Sequence, residues 1–281
     1  MILKVYVENL LHNFEKYCEP YLFLYLFPLF FVLEALFKLN KKQVFTKNES
    51  IQNLGWMSIN DYVLPYIGSL LHGLARVSLF PFLWSLPAYL TAYDISKFQL
   101  RIENPFYWIP IVLLARDFIS WIIHKAMHTN RFLWRFHVLH HSSTELNALA
   151  GFRGYWLEAL IIDLAMAVPV FFFQVPPYGL IIIGVWEIST TLFIHSNINL
   201  RKGGIYILLT SPLYHHWHHA EYCHYKHGQN FGIYTNIFDR LFGSYYCPDT
   251  PPERYGITGQ SYPKNFLIRL IHPFFFKKNI D

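Results

Sequence analysis

The sequence predicts an all-α protein: an integral membrane helical stem of about four to five spans, bearing a cytoplasmic, histidine-rich helical cap. Three observations predict it. Hydrophobic residues make up 53% of the 281 and charged residues 15%, against roughly 25% charged in ordinary soluble domains. The apolar residues come in blocks of bilayer-spanning length. Twelve of the 15 histidines fall between His124 and His227. Disorder and a fibrous chain are excluded, and a soluble two-domain enzyme is disfavoured.

The rest of the composition agrees. Aromatics reach 19%, with 26 Phe, 20 Tyr and 8 Trp, which suits lipid-facing and interfacial surface. The formal charge of +5 comes from 23 basic and 18 acidic residues. The basic residues are scattered between apolar blocks, so they read as loop charges facing headgroups and not as a nucleic-acid footprint. Cys18, Cys223 and Cys247 form neither a CxxC pair nor a disulfide framework.

The spans are read in order against the ~20 residues that cross a bilayer. No cleavable signal peptide is expected, because Glu8, Glu15, Lys16 and Glu19 precede the first apolar run. Tyr21 to Leu39 is the first span. Tyr62 to Tyr93 contains Pro65, Pro81 and Pro87, so it is either one kinked helix or a span plus an interfacial piece. Phe106 to about His124 is the third. Leu157 to Val175 and Tyr178 to about Asn197, joined by Pro176 and Pro177, form a hairpin. Lys38, Lys41, Lys42 and Lys47 place the first loop in the cytoplasm. Lys125, Arg131, Arg135, Arg153, Arg201, Lys202 and Lys226 then fall on that side, while Lys97 and Arg101 fall opposite. Asn265 to Lys278 is too short to span and reads as an amphipathic interfacial piece. No fixed-period repeat or low-complexity tract is visible. The expected organisation is an N-terminal membrane region (1–105), a catalytic region (106–256) and an interfacial C-terminal tail (257–281).

The chemistry-bearing residues are the histidines. His124 and His128 form HxxxH. His137, His140 and His141 form HxxHH, and His215, His218 and His219 form it again, with His216 as an extra. On a helix, positions i, i+3 and i+4 share a face, so each pattern points its imidazoles one way. Neutral imidazole ligates zinc, iron, copper and nickel, and clusters from several helices can surround one or two ions. Unemployed imidazoles packed this closely would be costly. His195 ends the last span at the same depth as His124, which favours it as a ligand. His12, His72 and His272 read as interfacial surface residues, and His216, His224 and His227 as rim or surface. Asp117, Asp163 and Glu187 are acids within apolar spans, which are functional candidates by default. Asp117 shares a helix face with His124 and His128 and is expected to orient a histidine from another helix. Arg116 neutralises one of these acids or serves the site.

At these residues the sequence resembles the fatty acid hydroxylase / sterol desaturase superfamily of membrane oxygenases, over about Arg116 to Gly256. The resemblance runs in order. Arg116-Asp117 leads into HxxxH. Leu133-Trp134-Arg135-Phe136-His137-Val138-Leu139-His140-His141-Ser142 follows, then Asn147, Arg153 and Glu158. His195-Ser196-Asn197 and Ser211-Pro212-Leu213-Tyr214-His215-His216-Trp217-His218-His219 come next. Asn230-Phe231-Gly232 and Phe238-Asp239-Arg240-Leu241-Phe242-Gly243-Ser244-Tyr245 close it. The resemblance implies a non-haem di-iron centre that uses O₂ and two electrons to hydroxylate or desaturate a lipid, with no catalytic residue beyond the metal centre. Carried across, the ligands are His124, His128, His137, His140, His141, His195, His215, His218 and His219. Arg153, Glu158, Asn230 and Asp239 become orienting residues. Asn199 stands where some members carry a further histidine, and Tyr155 where relatives often read histidine after Arg153.

The residues reach the same chemistry by another route. Zinc alone lacks redox chemistry, whereas an unactivated C–H bond near the membrane calls for a redox metal positioned by the protein. The sequence carries no cytochrome b5-like domain, flavin fingerprint or ferredoxin-like cysteine set, so electrons are expected from a separate protein or reductant. Three alternatives stand beside this reading. One is an ether-lipid (alkylglycerol) monooxygenase drawing electrons from a pterin. Another is a metal-binding or transport protein, which would place ligands between repeats at mid-bilayer. The third is a zinc hydrolase, which would need a glutamate base as in HExxH. The partners expected are the membrane, a lipid and an electron donor, with no nucleic acid. A composition rich in Phe, Ile, Asn and Lys favours a bacterial inner membrane, with the ER membrane as alternative.

Overall fold

The computed structural model describes residues 22–43, 46–60, 100, 102, 104–200, 204–257, 262–263 and 265–275. Among these the chain is helical, with no β-strands beyond three isolated antiparallel bridges: Lys38 with Ile198, Leu209 with Thr235, and Ala220 with Tyr255. The expected stretch 62–93, Lys97, Arg101, Arg201, Lys202, Cys18, His12, His72 and the tail from 276 lie outside the described residues.

The N-terminal helices are α1 (Leu22–Leu36) and α2 (Lys47–Ser58). Then come α3 (Pro105–Thr129) and α4 (Arg131–His141), followed by a 3-10 turn, Ala148–Phe152. Helices α5 (Trp156–Phe172) and α6 (Pro177–His195) make the hairpin. Shorter helices complete the chain: α7 (Pro212–His218), α8 (Ile237–Leu241) and α9 (Phe266–Phe275). Among the described residues two helices, Pro105–Thr129 and Tyr178–His195, are long and apolar enough to cross a membrane. Helix α1 has 15 described residues and α5 has 17, the lower end of the length that crosses a bilayer.

Capping chemistry explains where the site-bearing helices begin. Asn104 Oδ1 accepts from Phe106 N at 3.0 Å, and Pro105 occupies the first helical position of α3, where its missing N–H costs nothing. Asn130 ends α3 by donating its N–H to Ala126 O and starts α4 by accepting from Phe132 N and Leu133 N. One residue therefore makes the corner that folds HxxxH against HxxHH. Ser211 caps α7 through Tyr214 N, again with proline next.

Helices α4 and α5 pack on α3, and α7 packs on the end of α6. Trp108, Val112 and Ile183 join α3 to α6. Trp56, Phe136, Leu139 and Tyr155 join α2 to α4 and receive Phe266 and Leu270 of α9. Outward-facing positions on α3, α5 and α6 carry large apolar side chains, such as Phe106, Leu164 and Leu180. Helix α9 is arranged the same way: Arg269 is buried, donating to Gln52, while Leu267, Ile271 and Phe274 face outward.

Candidate metal centre

The nine histidines singled out in the sequence come together in two adjoining groups. The first holds His124 and His128 from α3, His137 and His141 from α4, and His218 from α7. The second holds His140 from α4, His195 at the end of α6, and His215 and His219 from α7. Within each group the candidate nitrogens all lie within 4.8 Å of one another. Each HxxHH is divided between the groups, where a single shared direction was expected. Its i and i+4 rings join one group and its i+3 ring joins the other. The groups touch: the rings of His141 and His219 stack with centroids 4.5 Å apart.

The outer nitrogens fix the tautomers. Nδ1 of His124 donates to Phe231 O at 2.9 Å, that of His218 to Gln229 O at 2.7 Å, and that of His140 to Arg153 O at 3.1 Å. His195 Nδ1 donates to Thr191 O at 2.8 Å. A carbonyl can only accept, so each of these rings keeps its proton on Nδ1 and a lone pair on Nε2. His137 Nδ1 pairs with Glu158 Oε1 at 2.7 Å. The Nε2 atoms then face one another. His137 meets His128 at 3.1 Å and His141 at 3.2 Å, and His215 meets His195 at 2.9 Å and His219 at 3.1 Å. His124 Nε2 and His218 Nε2 are buried with no protein partner. Lone pairs converging without a donor are unstable unless a cation sits among them. An all-imidazole set fits zinc, iron, copper or nickel, so the residues present fit two metal ions.

Burial holds His140, His141, His215 and His219 well below the ordinary histidine value of 6.5, and His218 down to about 3, with neighbouring imidazoles adding to the shift. All five are therefore neutral and able to ligate at pH 7. The unfolded chain takes up protons on these residues below about pH 6.5, where the folded rings do not. It thus binds more protons than the folded chain, and stability falls as pH drops from about 6.5 toward 3. Above 6.5 these groups contribute no slope. The melting temperature and the bound metal are both expected to decline together between about pH 6.5 and 5. A thermal scan with metal analysis at each pH checks this, and a flat profile would contradict it.

The remaining candidates occupy definite places. Glu158 is buried against His137. Arg153 is fully buried; it pairs with Glu49 and donates to Asn53 Oδ1, while its carbonyl orients His140. Asp117 reaches no histidine. It accepts from Tyr234 N, Thr235 N and Thr235 Oγ1, and so steers the loop after Phe231. Arg116 donates to Glu187, which neutralises that acid. Asp163 lines the cavity beneath the histidines. Asn199 donates its backbone N–H to Phe37 O, beside the Lys38–Ile198 bridge. Asn230, at φ 59°, sits between the two carbonyls that hold His218 and His124, and its side chain ties Tyr214 O and Tyr246 O. Asp239 accepts from Phe231 N at 3.0 Å and Gly232 N at 2.7 Å. Gly232 is required there, because a Cβ would lie 2.0 Å from Thr235 O.

Two readings need correction or addition. His216, expected at the rim, is fully buried, bonded to Tyr255 OH at 2.7 Å and Ser196 O at 3.0 Å. His224 and His227 are exposed, in keeping with a surface role. Glu34 was not singled out. It is buried and accepts from Ala148 N and Asn197 N, which ties α1 to the turns on either side of the site. Its signal was available, since it is an acid inside an apolar run.

A cavity of about 320 Å³ lies beneath the rings, between α3, α5 and α6. It reaches from His137 and His195 down to Arg116, Asp163 and Glu187. Fold and site together describe a histidine cage able to hold metal above an apolar-walled chamber.

Comparison with known proteins gives the family. Residues 109–244 match the fatty acid hydroxylase family, a stretch that includes all nine histidines. Over that stretch the chain is similar to the fatty acid hydroxylase / sterol desaturase superfamily. It is 29% identical over 163 residues to an ornithine lipid hydroxylase, OlsE, of Rhizobium tropici, covering 58% of this chain and 49% of that protein. It is 27% identical over 160 residues to an alkylglycerol monooxygenase of Caenorhabditis elegans, covering 55% and 30%. It is 30% identical over 152 residues to an Arabidopsis thaliana protein named as a Delta(7)-sterol-C5(6)-desaturase, covering 51% and 50%. The matched stretch thus spans half or less of these relatives. No solved structure gives a significant match.

Proposed function

We propose that the chain is a membrane-bound, O₂-dependent di-iron oxidoreductase that hydroxylates or desaturates a lipid. The observation that carries this reading is the pair of Nε2 cages at the head of a chamber opening toward apolar helices. The names of the relatives support lipid oxidation.

When bound, the two irons would supply O₂ activation. Hydroxylation consumes a C–H bond, O₂, two electrons and two protons, and yields an alcohol and one water. Desaturation removes two hydrogens with the same inputs and yields two waters. The chain's own residues do the positioning. Carbonyls of Arg153, Thr191, Gln229 and Phe231 hold four imidazoles in the ligating tautomer, and Glu158 holds a fifth. The walls of α3, α5 and α6 keep the chamber dry and admit a lipid from the side. The electrons come from a separate protein or small reductant.

The placement proposed is a stem of four to five spans with the histidine cap on the cytoplasmic side, where Lys38, Lys41 and Lys42 follow α1. A bacterial inner membrane is favoured over the ER. Residues 106–256 form the catalytic region, 1–105 the membrane region, and 257–281 an interfacial tail whose helix α9 turns Leu267, Ile271 and Phe274 outward. An ether-lipid monooxygenase is the second reading, favoured by the alkylglycerol monooxygenase relative.

The test is metal analysis of anaerobically purified protein, with O₂ consumption and mass spectrometry on lipid extracts. Two irons per chain and a product heavier by one oxygen, or lighter by two hydrogens, support the proposal. One zinc with no redox response overturns it. Oxidation of 1-O-alkylglycerols alone, dependent on a pterin, selects the second reading.

A further inference from the structure

We propose that the chamber selects its lipid by hydrogen-bond donors: the substrate carries an ammonium or hydroxyl group where it meets the polar lining, and no anionic group there. This rests on the oxygenase reading only in taking the chamber as the substrate's seat.

The argument is an account of donors and acceptors. The strong donors facing the chamber are already engaged. Arg116 gives Nε and Nη2 to Glu187 Oε1 and Nη1 to Met166 O. Tyr234 OH gives its proton to the same Glu187 oxygen at 2.6 Å. The acceptors are not used up. Glu158 is nine-tenths buried, lines the chamber, and has Oε2 with no partner. Asn60 Oδ1, also lining the chamber, is buried and unpartnered. All the bonds to Glu187 fall on one oxygen, and Asp163 has no hydrogen-bond partner among the described residues. Only the hydroxyls of Ser120 and Thr191 can act either way.

The charges point the same way. Glu158, Asp163 and Glu187 stand against one guanidinium, Arg116, in a low-dielectric setting. A substrate phosphate or carboxylate brought here would be desolvated beside like charges, with only the Ser120 and Thr191 hydroxyls and no free cationic donor to receive it. An ammonium would gain charge-assisted bonds, and a hydroxyl would satisfy an orphan acceptor. Arg116 precedes His124 by eight residues on α3, and Glu187 precedes His195 by eight on α6. At 1.5 Å per residue, this acidic floor lies about 12 Å below the histidines on both helices. A lipid donor bound at Asp163 or Glu187 would lie about that far from the carbon placed at the metals, whereas Glu158, bonded to His137, offers its acceptor at the histidine end of the chamber.

The test uses the full chain, metal-loaded, in neutral-detergent micelles. Octadecylamine, octadecanol and octadecanoate compete against a fluorescent lipid, and turnover is followed in parallel. The amine and the alcohol are expected to displace the reporter about tenfold better than the carboxylate, because the like-charge penalty falls on the carboxylate alone. Asp163→Asn is expected to shrink the amine-to-carboxylate ratio about fivefold while metal content stays unchanged. Equal displacement by all three in the unmodified protein overturns the proposal, and so does an unchanged ratio in the folded variant. Donor-selective binding with no oxidation of any lipid would sink the oxygenase reading and leave this one standing. Oxidation with no donor preference would do the reverse.

Discussion

His215→Ala is expected to lower bound metal from two ions per chain to about one, and to reduce lipid oxidation by more than about 100-fold, which is what losing an orienting partner alone can cost a metal site. His124→Ala should do the same from the other side. Each variant removes one ring from one group and leaves the other group complete: His140, His195 and His219 stay in place around the missing His215, and His128, His137, His141 and His218 around the missing His124. The sequence run supplies its own control. His216 is as buried as His215 and adjacent to it, yet both its nitrogens are committed, one to Tyr255 OH and one to Ser196 O. His216→Ala should therefore keep both metals and cost stability only, about 1–3 kcal/mol for the partners left unpaired. Metal content by mass spectrometry and melting temperature on the three variants separate ligation from packing. Equal metal loss in all three would show that the rings merely support the fold.

The contrast between His215 and His216 also marks what the sequence could reveal. Helical periodicity is local, so HxxxH and HxxHH are legible as faces carrying eight of the nine rings that converge, while His195 is marked only by its depth at the end of a span and by the family resemblance. The division into two groups was legible in principle. Relative to position i, the i+4 ring is turned by roughly 40° and the i+3 ring by roughly 60° the other way, at about 100° per residue. The fan is wide enough for its lone flank to serve a second centre. His216 could not be placed this way, because what covers it, Tyr255 and the Ser196 carbonyl, arrives from 39 and 20 residues away. The acceptors that orient the rings were equally invisible. Gln229, Phe231, Thr191 and Arg153 act through backbone carbonyls, which have no side-chain signature. Asp117 was singled out correctly as an unusual acid, but its reach was misjudged. It holds the backbone at Tyr234 and Thr235, and that backbone continues into the loop that holds the rings.

Asp239→Ala is expected to destabilise the fold by about 3–5 kcal/mol, the range for breaking a buried charged network, and to strip metal from one group before the other. Asp239 is fully buried and touches no histidine. It accepts from the backbone N–H groups of Phe231 and Gly232, from Ser244 Oγ at 2.6 Å and from Tyr214 OH. Removing the carboxylate leaves four buried donors in want of an acceptor, each worth about 1–3 kcal/mol before the loop relaxes. The relaxation falls on the segment whose carbonyls at Gln229 and Phe231 hold His218 and His124. Both of those rings belong to the first group. The second group takes its orientation from Arg153 and Thr191 on other elements, so its ion should survive longer against a chelator. Tyr214→Phe is the graded comparison. It deletes one of the four bonds without leaving a buried charge bare, and should cost about 1 kcal/mol with both metals retained. A chelator time course on the two variants, read as metal per chain, distinguishes loop-borne orientation from general loosening. Simultaneous loss of both ions from Asp239→Ala would mean that the two groups are not held independently.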